Sequence, residues 1–338
     1  MRIARGRSTL LKRQSRWSID ATCVAAISLA VFAALPAEAR DFTAADTQGA
    51  DYPTVQSIRY MDRLVRERSH DRHRINVYPG GMLGAQPATL EQTRLGPIDL
   101  NLVNMAPLAS FVGEANVLGL PFLFRSADHL RNVLNSPIGE QILQRLAPHG
   151  FVGLAFYEGG ARSVYTAKRP VRTLADFQGL RIRVQNSDLT VEMFKTLGAE
   201  PIQFPFSLVN TGFSTNLIDA AEHTWSTYIA FEHYAVAPYF TLTEHSMSPD
   251  VLVMSSKAWE ELSAEDREIF RTAARESSKF MSDQLKIWTS SLKRPLGDDV
   301  VAIKFDREQL KQALTPLYDK VLLDSRTKAL VEAVRQIE

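Results

Sequence analysis

Short runs with strand character alternate with amphipathic stretches of helical period along almost the whole chain, and this alternation restricts the fold more than any other feature. Arg74 to Tyr78, Leu100 to Val103, Val152 to Tyr157, Arg181 to Val184 and Val251 to Met254 read as strands. Between them lie segments whose apolar residues recur at three and four, such as Val55, Ile58, Met61 and Val65 after Asp51-Tyr52-Pro53. Strands that take turns with helices specify an α/β protein with mainly parallel sheets.

Punctuation residues fix the boundaries. Ser136-Pro137 opens a helix carrying Ile138, Ile142 and Leu146 that ends near Gly150, and Thr173 with Asp176 forms a capping box before a turn closed by Gly179. A helix from about Asp188 ends at Gly198, a short strand reaches Phe204, and Ser207 is placed to cap the helix that follows. The tail reads as two long helices. Ser263 with Asp266 caps one bearing Met281, Leu285, Trp288 and Leu292, and Asp306 with Gln309 caps the other after a strand from Val301 to Phe305.

The N-terminus has a different character. Six basic residues from Arg2 to Arg16 lead into an apolar run from Ala21 to Leu35 and then Ala37-Glu38-Ala39, the layout of an export signal cleaved after Ala39. The apolar run is shorter than the roughly 20 residues a membrane helix needs. Removing residues 1–39 takes away 6 of 39 basic and 2 of 38 acidic residues, leaving 33 against 36 and a net charge of −3. A near-neutral chain offers no electrostatic case for nucleic acid or a membrane surface. The only cysteine, Cys23, leaves with the signal, which excludes disulfides and thiol chemistry from the mature chain. The remainder is larger than one core usually organises. Two lobes joined by crossing strands are expected, the first from 40–160 completed by about 246–285, the second from 161–245 completed by about 286–338.

Enzymatic signatures are thin. No G-x-S-x-G, phosphate loop or H-E-x-x-H occurs, and His70-Asp71-Arg72-His73 reads as a solvated turn rather than a metal site. The chemistry concentrates between Gly179 and Tyr228. Arg183, at the end of a strand whose other face is apolar, carries a planar guanidinium that fits both oxygens of a carboxylate. On pattern alone it is either a ligand anchor in an interlobe crevice or a surface arginine paired with Asp176 or Glu200. Arg162 follows Gly159-Gly160, where close backbone approach to a ligand and a plain turn are equally compatible readings.

The runs G-L-R-I-R-V-Q-N-S from Gly179, L-G-A-E-P-I-Q-F-P-F-S from Leu197 and I-D-A-A-E-H-T-W-S-T-Y from Ile218 resemble those of the TRAP-transporter solute-binding proteins, the DctP-like family. Gly80-Gly81-Met82-Leu83-Gly84 is similar to the family's G-G-x-L-G, and Thr243 to Pro249 to its T-E-H-S-M-x-P. The resemblance implies a two-lobed periplasmic receptor in which Arg183 binds the substrate carboxylate, Arg162 supplements it and Arg181 stays at the surface. It places Phe206 where an aromatic residue packs on the substrate and His223 where an asparagine is usual. Gln86 stands where a glutamate is frequent, and Gln48 replaces a common histidine.

Gln185, Asn186 and Asn104 are candidate hydroxyl partners. Trp225 and Tyr228 echo a stretch found in members that take sugar acids, which favours a uronate over a C4-dicarboxylate, since a ring with an apolar face and a polar edge suits aromatic and polar neighbours together. The stretch Pro205 to Asn216 departs most from the family pattern. The expectation is a monomeric binder that is not an enzyme, needs no cofactor or metal, and delivers its ligand to TRAP membrane permease subunits. A binder of a C4-dicarboxylate or other carboxylate, a ligand sensor for a membrane kinase and a secreted enzyme of unknown chemistry are the alternatives.

Overall fold

Eleven strands form two sheets in the computed structural model, which describes residues 39–291 and 300–338. The expected export signal, and Leu292 of the expected tail helix, lie outside the described residues apart from Ala39. The first sheet has the order β2 (His73–Tyr78), β1 (Arg40–Ala45), β3 (Leu100–Asn104), β10 (Asp250–Ser255), β4 (Phe151–Tyr157). The second runs β11 (Val301–Lys304), β9 (Tyr239–Ser246), β5 (Arg162–Thr166), β8 (Ala220–Thr224), β6 (Arg181–Val184), β7 (Glu200–Gln203).

Five pairings are parallel and four antiparallel, and the antiparallel four all involve β5 or β10. Those two strands are the ones that enter a sheet directly from the other: β4 passes into β5 between Tyr157 and Arg162, and β9 into β10 between Ser246 and Asp250. A strand arriving from across the cleft runs against its neighbours. The two lobes expected from the size of the chain are therefore linked by short crossings with little slack.

Two apolar clusters each belong to one lobe, and a larger one joins residues of both, among them Val103 and Val251 of the first sheet and Val164 and Ile182 of the second. Ile58, Met61 and Val65, fully buried on the helix Pro53–Arg68 as Val55 also is, cluster with Phe42 and Leu102 of the first sheet and Phe270 and Met281 of the long helix Ala264–Ser291. Each such side chain removed from water stabilises the fold by about 1.5–3 kcal/mol. Tyr165, Phe213, Tyr228 and Phe240 form a cluster on the second sheet.

Local chemistry explains the boundaries. Asp176 Oδ2 accepts the Thr173 backbone N–H at 2.9 Å, completing the capping box, and Ser263 Oγ accepts the Asp266 N–H at 3.0 Å at the start of the long helix. Three expectations need correction. Ser207 caps nothing; it lies inside a 3₁₀ turn, Phe206–Leu208, and the helix Val209–Ser214 starts without a side-chain cap. The second tail helix is three short ones, Arg307–Ala313, Thr315–Val321 and Ser325–Gln336, interrupted by Pro316 and by the N-cap Asp324. His70 to Arg72 forms a tight turn with His70 and Asp71 at positive φ, but His73, which opens β2, is buried, with Nε2 3.3 Å from Asp266, rather than solvated. Among the described residues no helix is long and apolar enough to cross a membrane.

Candidate functional site

The strand ends that face each other across the crossings build one cavity. From the first sheet come Asp46 just after β1, Asn104 ending β3, Glu158 just after β4 and Asp250 opening β10; from the second come Arg162 opening β5, Gln185 just after β6 and His223 near the end of β8. Met281 and Leu285 of the long helix add an apolar patch. Ligands of open α/β sheets occupy such strand-end crevices.

Arg183 is the chemically exceptional member. It is 5% exposed, its Nε donates to the Phe204 carbonyl at 3.1 Å, and its guanidinium carbon lies 5.7 Å from the Phe206 ring centre. Among the described residues no carboxylate stands within ion-pair range of it. Burial pushes its pKa down to about 10, against the partial support of Glu222. A buried guanidinium with unspent N–H groups calls for an anion.

Arg162 is differently placed. Its Nε donates to Glu222 Oε2 at 2.5 Å and its Nη2 to Oε1 at 2.7 Å, in a pair that is almost completely buried. Burial disfavours both charges, yet the Arg162 charge holds the Glu222 carboxyl well below the usual range. Arg162 therefore lines the cavity as half of a neutral pair.

The remaining expected residues divide clearly. Gln48, Gln86, Asn104, Gln185, Phe206 and His223 line the same cavity as the two arginines. Gln48 Oε1 is buried with no hydrogen-bond partner among the described residues, and Gln86 Nε2 donates to Thr47 Oγ1 at 3.4 Å. His223 Nδ1 accepts the Thr224 N–H at 2.9 Å, and burial with the nearby Arg162 charge keeps its pKa well below the ordinary 6.5. Asn186 lies in an adjoining groove that shares Thr47, Gln86, Arg183, Gln185 and Phe206 with the cavity.

Two residues do not serve as expected. Asn104 lines the cavity but spends its amide on the fold: Oδ1 accepts from Ala106 N and Ser248 Oγ, and Nδ2 donates to Asp250 at 2.9 Å. Trp225 does not line the cavity. It begins the helix Trp225–Ala230, where strand alternation stops, and packs instead on Tyr228 and at right angles to Phe240.

Asp46, Asp250, Tyr52 and Thr227 line the site without having been anticipated. Their signal was positional: each acid abuts a strand end on the edge where Asn104 lies. Asp46 has its pKa raised by burial to about 7, and Asp250 is also raised by burial.

The model of the bacterial extracellular solute-binding proteins, family 7, matches residues 44–324. A TRAP periplasmic solute-binding protein from Bradyrhizobium sp. BTAi1, solved with galacturonate, is 40% identical with a TM-score of 0.83, covering 88% of this chain and 99% of that one. Another from Xanthobacter autotrophicus Py2, solved with β-D-galacturonate, is 38% identical with a TM-score of 0.85, covering 88% of this chain and 100% of that one. A third, from Chromohalobacter salexigens with D-glucuronate, is 32% identical with a TM-score of 0.84, covering 88% and 100%. Fold, crossing strands and matched sequence agree, and the chain belongs to the DctP-like bacterial extracellular solute-binding proteins of family 7.

Proposed function

We propose that this protein is the periplasmic capture subunit of a TRAP transporter and that it binds one uronate, galacturonate or glucuronate, between its lobes. The observation that carries the reading is Arg183: buried, with no carboxylate in ion-pair range among the described residues, and lining a cavity that also holds amides, hydroxyls, an imidazole and the acids Asp46, Glu158 and Asp250 on the facing sheet. Its Nη groups hold the ligand carboxylate, while Gln48, Gln86, Gln185 and His223 meet hydroxyls and Phe206 packs on the ring. Arg162, committed to Glu222, contributes a second, weaker donor. The bound uronates of the three structural neighbours support this ligand class over a C4-dicarboxylate.

Ligand contacts with both sheets favour the closed arrangement, which then docks on the membrane permease subunits. Export through a signal cleaved after Ala39, action as a monomer and the lobe boundaries near residues 160 and 245 complete the proposal. Titration calorimetry against galacturonate, glucuronate, galactonate and succinate tests it, with Arg183→Ala alongside. Saturable uronate binding that disappears in the variant is expected. Succinate binding tighter than either uronate, or uronate binding retained by the variant, overturns it.

A further inference from the structure

The first-sheet wall of the cavity carries a buried acid, Asp46, and a part-buried one, Asp250, that ligand capture by Arg183 does not use; the third acid there, Glu158, is paired with Arg131. Asp46 Oδ1 accepts the Gln48 backbone N–H at 2.8 Å and Oδ2 accepts from Thr54 Oγ1 at 2.7 Å; Asp250 Oδ1 accepts from Asn104 Nδ2 at 2.9 Å. Among the described residues neither has a cation within ion-pair range. The two repel each other, and burial raises both carboxyls. Arg183, on the second sheet, feels Glu222, Tyr165 and Arg162 but neither of these acids. Beside them the buried Gln48 Oε1 lacks a donor among the described residues.

We propose that this wall is a specificity filter: Asp46, Asp250 and the Gln48 carbonyl reserve the part of the cavity away from Arg183 for hydroxyl donors, so that sugar acids with one carboxylate enter and those with two are rejected. The inference rests on the uronate reading and deepens it. A carboxylate oxygen keeps lone pairs beyond those already engaged and accepts only, so a ligand hydroxyl satisfies it by donating. A second ligand carboxylate has no proton to give and, above about pH 7 where Asp46 has given up the proton that burial favours, adds a like charge beside both acids, so the rejection is read at about pH 8. Rejection by an unpaired like charge is an effective way to sort ligands that otherwise share a shape.

Calorimetry with galacturonate, galactonate and galactarate reads this directly, because galactonate and galactarate are open six-carbon chains that differ only in a terminal alcohol or carboxylate. Galactarate is expected to bind at least about 100-fold more weakly than galacturonate, and the gap is expected to narrow at least about tenfold in Asp46→Asn or Asp250→Asn. A gap below about tenfold in the wild type overturns the filter, as does an unchanged gap in both variants while they still bind galacturonate. If neither variant binds galacturonate, the wild-type pair decides: galactonate tighter than galactarate supports the filter, and equal or reversed binding sinks it. Loss of all uronate binding by the wild type fails the uronate reading itself, a distinct result.

Discussion

Arg162 and Glu222 stand on adjacent antiparallel strands, with Arg162 in register opposite Thr224 and its guanidinium reaching diagonally to grip both Glu222 oxygens. Arg183, on the next strand but one, has no such partner. The two buried arginines thus divide the work, one holding the second sheet together at the cleft and the other kept available for an anion.

That division predicts opposite stability phenotypes. Arg162→Ala strands the Glu222 carboxylate in the interior, with His245 at 3.6 Å as its remaining ion-pair partner among the described residues, and should destabilise the ligand-free protein by about 3–5 kcal/mol. Arg183→Met removes a buried charge that has no ion-pair partner among the described residues, at the cost of one hydrogen bond to the Phe204 carbonyl and a distant attraction to Glu222, and should leave ligand-free stability nearly unchanged or raise it, while abolishing uronate binding. Denaturant melts with and without galacturonate check both; a large stability loss in Arg183→Met would show that the guanidinium has an unrecognised structural partner.

The pH dependence follows from Asp46. Its carboxyl moves from the ordinary 3.8 up to about 7 because burial opposes charge, so the folded state holds this proton more tightly than the unfolded chain. The associated stability is fully present below about pH 4 and is lost as pH rises through about 7, a decline on the order of 2 kcal/mol between pH 5 and 8. His223 acts in the other sense: held neutral, it favours folding above its ordinary 6.5 and withdraws that support as pH falls. The clean measurement is therefore a difference. The stability of wild type minus that of Asp46→Asn should fall between pH 5 and 8, and a flat difference would mean that the Asp46 carboxyl titrates normally.

Much of this was legible in the sequence where one face is buried and the period is clear. The helix Pro53–Arg68, β6 and the Thr173 capping box follow from apolar spacing and local hydrogen bonding. β1 was not, because Arg40 to Ala45 offers one large apolar residue, Phe42, and its identity as a strand comes from pairing with β2 and β3. With β1 unread, Asp46 had no strand end to mark it. Asn104 and Trp225 show a second limit. Residue type identified a polar amide and an aromatic ring at site-like positions, but whether the amide is consumed by a cap, or the ring is turned into the core by a helix start, depends on contacts distant in the chain. His223 followed from the motif, yet its neutrality depends on burial and on Arg162.

His223 itself provides a third prediction. Because burial and the Arg162 charge disfavour the imidazolium, the ring should stay neutral across pH 5.5–8 and act as a neutral hydrogen-bonding group, as an asparagine would. His223→Asn should therefore preserve the fold and keep uronate affinity within about tenfold, with no new pH dependence. Imidazole proton shifts followed by NMR would reveal the contrary case, a titration near 6.5.

Closure should depend on hydroxyl contacts between the lobes in the wall of the cavity. Tyr52, at the start of the helix Pro53–Arg68, places its hydroxyl 3.2 Å from Ser226 Oγ and 3.1 Å from Thr227 Oγ1, at the head of the helix Trp225–Ala230 on the other lobe. These hydroxyls, joined by Thr224 Oγ1 at 3.1 and 3.0 Å, form a buried latch across the cleft. Each neutral hydrogen bond of this kind contributes about 0.5–1.5 kcal/mol. Tyr52→Phe keeps the ring against Trp288 and removes only the hydroxyl. Affinity is a product of the intrinsic contacts and the fraction of molecules able to close, so the variant should bind uronate about 3–10-fold more weakly through a shifted open-closed balance. Small-angle scattering of the ligand-free variant should then show a larger radius of gyration than wild type, with the two converging at saturating ligand. Weakened binding with no such difference would place Tyr52 in contact with the ligand instead.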